Sequence, residues 1–258
     1  MALPIGIQLF SLREELEKDA RGILTALSEM GYNGIEPYGD TYEMSISEFG
    51  EFAKSLGLEI PSIHYSLDSY KNRGEELFSE YSKIGTKFAT IPYLPLDCHP
   101  GGENYQKTVE EIVKCSNHAK EYGIQMLYHN HEHEFKKIDG QYALEKLYED
   151  VGTFLLKAEY DTGWINFAGE DPANYLMKNA ARCEVIHLKD LYVRRGTEVE
   201  RPEFRPVGYG NQDIPALLDA AKDTEAAWII VEQDSPSLGF NNLECAKMSI
   251  EYLKTLQK

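Results

Sequence analysis

Three of the seven histidines in this 258-residue chain fall between residues 129 and 133, in the run Tyr128-His129-Asn130-His131-Glu132-His133-Glu134-Phe135. Extended backbone alternates its side chains, so His129 and His131 share one face while Asn130 takes the other. Further on, Asp161, His187 and Glu232 each stand at the polar end of a short apolar run. Together they offer an imidazole, a carboxylate, an imidazole and a carboxylate. A mixed nitrogen and oxygen set suits Mn2+, Co2+, Zn2+ or Fe2+, whereas an all-oxygen set would suit Mg2+ or Ca2+. The expectation is one divalent transition metal held by His129, Asp161, His187 and Glu232, with His131 the other candidate for the first position. A lone His or Asp at a strand end is most often a hydrogen-bonded structural residue. Four on adjacent strands strain that explanation.

For these side chains to meet, the chain must set the ends of successive strands side by side. Eight short apolar runs (residues 5–10, 34–38, 60–66, 88–94, 125–131, 155–161, 184–190 and 228–234) alternate with stretches of helical spacing. In 19–30, Ile23, Leu24, Leu27 and Met30 recur at three and four; in 108–122, Val109, Ile112, Val113 and Ala119 do much the same. Gly31, Gly57, Gly85, Gly123 and Gly152 each follow a helical stretch, the place of a left-handed cap. Ser45 and Glu48 have the spacing of a capping box, and Asp171-Pro172 puts a proline in a first turn. Eight β-then-α units in order predict a single (β/α)8 TIM barrel, one domain over 1–258, of about the usual 250 residues. The rival, an open doubly wound sheet, favours a glycine-rich loop after the first strand. Phe10-Ser11-Leu12-Arg13-Glu14 has no glycine. In such a barrel, functional side chains come from the C-terminal ends of the strands.

The formal charge of −17, from 43 acidic and 26 basic residues, repels a polyanion, and Arg194-Arg195 is only a doublet. Nucleic acid is therefore not an expected partner. No apolar stretch approaches the roughly 20 residues of a membrane span, and the opening MALPIGIQLFSLREE lacks a basic region ahead of an apolar run. Neither membrane insertion nor export is expected, which points to the cytoplasm. Four scattered cysteines (Cys98, Cys115, Cys183, Cys245) read as reduced thiols rather than a disulfide framework.

The segments GIQLFSLREEL, YHNHEHEF, EYDTGW, IHLKD with PVGYGNQDI, and VEQD resemble the xylose isomerase-like barrel superfamily of sugar isomerases and epimerases, which also holds inosose dehydratases and apurinic endonucleases. They span nearly the whole chain; YHNHEHEF and HLKD are the more specific, DTGW alone the weaker. The resemblance implies metal ligands at Asp161, His187 and Glu232. Where the family often reads Glu-Asn-His, this chain reads His129-Asn130-His131, which puts His129 in the glutamate's place. It implies a sugar isomerase or epimerase working through an enediolate on a keto-sugar, polyol or sugar derivative, with Glu232 one of two proton-moving carboxylates. The histidine substitution keeps a one-sided reaction open as the alternative, a dehydratase or lyase of the inosose dehydratase or oxidised-glycoside type.

Around this centre, the acid and base candidates are Glu232, His131, Lys189 and Glu134. His64, Trp164, Tyr93 and Arg205, the last in a long loop over 190–213, are candidate contacts for a small-molecule sugar substrate. Gly208-Tyr209-Gly210 is the nearest approach to a phosphate loop. Two rival classes stand beside this one: an endonuclease of the same fold, opposed by the acidic charge, and a non-catalytic barrel binding a sugar or a protein partner, opposed by the presence of all three carried-over ligands. A homo-oligomer is the common default for such an enzyme.

Overall fold

Apolar runs buried on both faces can lie side by side as a parallel sheet, and these do. The structure, a computed structural model, describes residues 2–39, 41–193 and 201–256. Its strands are β1 (Ile5–Gln8), β2 (Gly34–Glu36), β3 (Ser62–His64), β4 (Phe88–Ile91), β5 (Gln125–His129), β6 (Leu156–Asp161), β7 (Cys183–Leu188) and β8 (Trp228–Val231). They run in the order β2-β1-β8-β7-β6-β5-β4-β3, every pair parallel. Two bridges, Gly34 to Glu59 and Tyr38 to His64, bring β2 against β3 and nearly close the ring. The expected (β/α)8 barrel is the fold.

The strands are shorter than the apolar runs that announce them. The polar tails of the runs, including His131, Glu232 and Asp234, leave the ladder to begin the loops above it. Two parts of the stretch 190–213, expected from its sequence as a loop, form a two-stranded ladder. Asp190–Val193 pairs antiparallel with Pro202–Arg205. Arg194 and Arg195 lie outside the described residues.

The helix over Arg13–Met30 breaks at Asp19 (φ −153°, ψ 75°), whose carboxylate accepts from the Gly22 N–H at 2.9 Å. Its amphipathic part therefore starts where the apolar period starts. Ser45 and Glu48 make the full capping box, and Asp171 caps the helix that Pro172 opens. Gly31 ends its helix at φ 90°, a conformation that costs a residue with a Cβ. All four cysteines are free. Among the described residues no helix is long and apolar enough to cross a membrane.

Inside the ring, the two-residue period stacks side chains in layers. The lowest is apolar: Phe88, Leu127, Val185, Trp228 and Ile230 form a cluster separate from the main core beneath the helices. Two residues after Phe88, Leu127, Val185 and Ile230, at Thr90, His129, His187 and Glu232, the interior turns polar.

Candidate active site

The middle layer is a closed network. Glu159, on β6, takes a hydrogen bond from Thr90 Oγ1 at 2.9 Å and pairs with His64 Nε2 at 2.6 Å. Glu36, on β2, accepts from Gln8 Nε2 at 2.7 Å and meets His187 Nε2 at 2.6 Å and His64 Nε2 at 3.1 Å. His187 Nε2 also lies 3.0 Å from Glu159. All these side chains are buried. Burying charge without a partner is costly, and here each carboxylate faces imidazoles and neutral donors.

The next layer carries the predicted ligand set. One nitrogen or oxygen from each of His129, Asp161, His187 and Glu232 falls within 4.8 Å of the others. Strand register explains the meeting: Asp161 lies opposite His187 on the β6–β7 ladder, and His187 opposite Ile230, two residues before Glu232. Asp161 divides its two oxygens. Oδ1 caps the following helix through the Trp164 N–H at 2.8 Å, while Oδ2 faces Lys189 Nζ at 3.2 Å and His129 Nε2 at 3.6 Å. His187 Nδ1 lies 3.0 Å from Glu232.

Side chains around the ligands hold the strand ends together. Asn130, on the opposite face from His129, accepts from the Asp161 N–H at 3.1 Å, and the Thr162 hydroxyl donates to His187 O at 3.1 Å. The Gly163 position is tight: a Cβ there would lie 2.9 Å from Lys189 Cβ and Cγ.

Lys189 is buried, with its ammonium 2.7 Å from Asp234, 3.0 Å from Glu232 and 3.2 Å from Asp161. Its stem runs past Trp164 and Phe204, whose ring centres are 5.1 and 5.5 Å from the ammonium. Burial and the nearby His187 hold His129 well below its usual range, so the imidazole is neutral and able to donate a lone pair. Burial pushes Asp161 up to about 6 against the pull of Lys189. Glu232 stays well below the carboxylate range, because Lys189 and His187 overcome its burial. His64, likewise desolvated, is raised to about 10 by Glu36 and Glu159.

A divalent cation fits the upper set. Asp161 Oδ2 is buried with no hydrogen-bond partner among the described residues, and the neutral His129 turns Nε2 towards it at 3.6 Å. A neutral imidazole and two carboxylates beside a second imidazole are the donors a transition metal takes.

Above these groups opens a cavity of about 250 Å³. His64, Tyr93, His129, His131, Lys189 and Glu232 line it, with Asp234, Phe10 and Tyr38 beside them. Three candidates stand elsewhere. Glu134 is fully buried and committed, accepting from Tyr128 OH at 2.6 Å and the His131 N–H at 2.8 Å. It braces the loop rather than facing the cavity. Arg205 pairs with Glu203 at 2.6 Å in the hairpin, and Trp164 packs behind Lys189 and against His131. Gly208-Tyr209-Gly210 is not a phosphate loop either. The Gly208, Gly210 and Gln212 N–H groups all donate to the Asp190 carboxylate, at 3.0, 2.8 and 3.3 Å.

Sequence reasoning missed Glu36, Glu159, Gln8 and Asp234. Glu159 had a usable signal, since it lies two residues before Asp161 and so on the same strand face. Glu36 had only its position inside an apolar run.

The sequence profile of the xylose isomerase-like TIM barrel matches residues 24–256. An inosose dehydratase of Mesomycoplasma hyopneumoniae is 24% identical over 272 residues, covering 97% of this chain and 85% of its own. A solved sugar phosphate isomerase/epimerase from Parabacteroides distasonis matches with a TM-score of 0.80 at 21% identity, over 98% of each chain. The solved IOLI protein, which carries a zinc atom, matches with a TM-score of 0.74 at 14% identity, again over 98% of each. Likenesses at these identities speak for the fold, and the profile match for the family. The chain belongs to the xylose isomerase-like TIM barrels.

Proposed function

We propose that the protein is a divalent-metal-dependent lyase of the dehydratase type, acting on a small keto-polyol or keto-sugar. The observation that carries this reading is the uneven lining of the cavity above the His129, Asp161, His187 and Glu232 donors. The two carboxylates on its wall, Glu232 and Asp234, both come from the end of β8. His129 and His131 come from β5, three strands away in the ring. An epimerase of the resembled kind removes and returns a proton with carboxylates on opposite faces. Elimination needs only one base beside the acidified carbon and one acid beside the departing hydroxyl.

A divalent metal held by His129, Asp161, His187 and Glu232 would supply Lewis acidity at the substrate carbonyl. His131 lines the cavity, and burial lowers it to about 4, so its imidazole is neutral and able to take a proton. His64 stands on the same wall with Nε2 held between Glu36 and Glu159, which keep the ring an imidazolium able to supply a proton from its other nitrogen to a leaving hydroxyl. Lys189 and Asp234 orient substrate oxygens, and Tyr93, half exposed at the rim, offers an apolar face to the ring. Occupation of the Gly208 and Gly210 amides by Asp190 favours a substrate without phosphate. The inosose dehydratase relative agrees with dehydration. Isomerisation or epimerisation shares the enolisation step and differs in where the proton is returned.

Incubating keto-inositols and keto-sugars with metal-loaded protein in D₂O separates the outcomes. The expected result is solvent deuterium next to the carbonyl together with an enone absorbance as water is lost. Exchange with a rearranged or epimerised product and no enone would favour the isomerase reading; no exchange with any metal would favour a binding barrel.

A further inference from the structure

Two cradles of donors share His187: the predicted set above it, and Glu36, His64 and Glu159 below. They differ in spacing. A metal about 2.1 Å from tetrahedral ligands holds their donor atoms about 3.4 Å apart. In the lower cradle the contacts are at hydrogen-bond range, 2.6 Å for His64–Glu159, 2.6 Å for His187–Glu36 and 3.1 Å for His64–Glu36. Gln8 and Thr90 donate into the same carboxylates. Hydrogen bonds thus occupy most of the lower cradle, where Glu36 Oε1 alone lacks a partner among the described residues. In the upper cradle His129 Nε2 and Asp161 Oδ2 stand 3.6 Å apart, and Asp161 Oδ2 has no hydrogen bond among the described residues.

We infer that Glu36, steadied by Gln8 and seconded by Glu159, is a positioning residue that keeps the proton on His187 Nε2 and turns Nδ1 to the metal. The inference rests on the metal-centre reading above. A ligating histidine whose other nitrogen donates to a carboxylate is fixed in tautomer and ring orientation, and its metal affinity depends on that carboxylate. Here the acceptor oxygen, Glu36 Oε2, is tied from β1 by Gln8 and reaches the ring on β7 across the barrel. His64 stacks on His187, with rings 5.3 Å apart and 5° from parallel, and blocks rotation on that side. Glu159 Oε1, at 3.0 Å, offers the same proton a second acceptor.

The test uses zinc and the full-length protein stripped of metal. Calorimetric titration of E36L should show Zn²⁺ binding weakened by about ten- to a hundred-fold. E36Q, whose carbonyl oxygen can still accept from Nε2–H, should lose less than about tenfold. Nitrogen-15 NMR of the zinc-loaded, histidine-labelled parent should show His187 protonated at Nε2 and bound through Nδ1. That spectrum needs no variant, so misfolding of E36L leaves the inference exposed to refutation. His187 bound through Nε2, or E36L binding zinc as tightly as the parent, would overturn the inference while leaving the metal centre standing. A parent protein that takes up no zinc or other transition metal would overturn both.

Discussion

The two ends of the barrel hold cavities of unequal size and unlike walls. At the N-terminal end, Pro215, Leu218, Ala221, Ala226, Ile229 and their neighbours surround about 680 Å³. At the mouth the space is about 250 Å³. The larger one contains a single ion pair, Lys222 with Asp219 one turn before it, at 2.6 Å. The smaller one is floored by ionisable groups from four strands, His64, His129, Lys189 and Glu232, buried together. Volume at the lower end costs the protein little, whereas each buried charge at the mouth costs several kcal/mol unless it is paired. The site is where the fold tolerates that burden.

Substitutions at the two ends should therefore separate by kind as well as by size. Asp161→Ala removes a proposed metal donor and a helix cap together. Turnover should fall on the order of a thousandfold or more, the several kcal/mol a Lewis acid supplies, and stripping the parent with a chelator should reproduce the loss in a steady-state assay. Lys189→Met leaves Asp161, Glu232 and Asp234 facing one another without their shared cation. Urea unfolding of the metal-free protein should show a loss of about 3–5 kcal/mol.

Glu134→Gln probes acid sensitivity near the mouth. The His133 pairing and the Tyr128 hydroxyl overcome burial and hold the Glu134 carboxyl at about 2 in the folded protein, against about 4.3 when unfolded. Its contribution, about 3 kcal/mol, is complete above pH 4.3 and is lost as pH falls towards 2. The variant should lack that part of the acid limb in stability measured against pH. At the other end, Leu218→Gln should leave turnover unchanged and lower stability by about 1 kcal/mol, since Leu218 is half-buried against the core. A large loss of activity from it would break the comparison.

The upper donors were legible because their residue types do not belong at the ends of apolar runs. A two-residue period and a fixed order of strands were enough to bring His129, Asp161, His187 and Glu232 together. The layer beneath was not. Glu36 lies 151 positions from His187 in the chain, and only ring closure and the tilt of the strands make them neighbours. Glu134 shows the opposite error. An acidic residue among histidines suggests proton transfer, yet this one is committed to Tyr128 and a backbone amide. Gly208 and Gly210 show why glycine spacing alone misleads. It signals amides converging on an anion without saying that the anion is the chain's own Asp190. Helix ends were easy to read because their signals are local, as Ser45 and Glu48 illustrate.

Gly163 bears on how this site could change over generations. It touches no ligand, but the bare backbone at that position is what lets the Lys189 stem lie where it does. A side chain at 163 would press on that stem and disturb the ammonium's place among three carboxylates. Shortening residue 189 would not make room, because the clash is also with its Cβ at 2.9 Å and its backbone oxygen at 3.1 Å. The demand for glycine at 163 thus comes from how closely two strand ends approach, and it would outlast a change of the lysine.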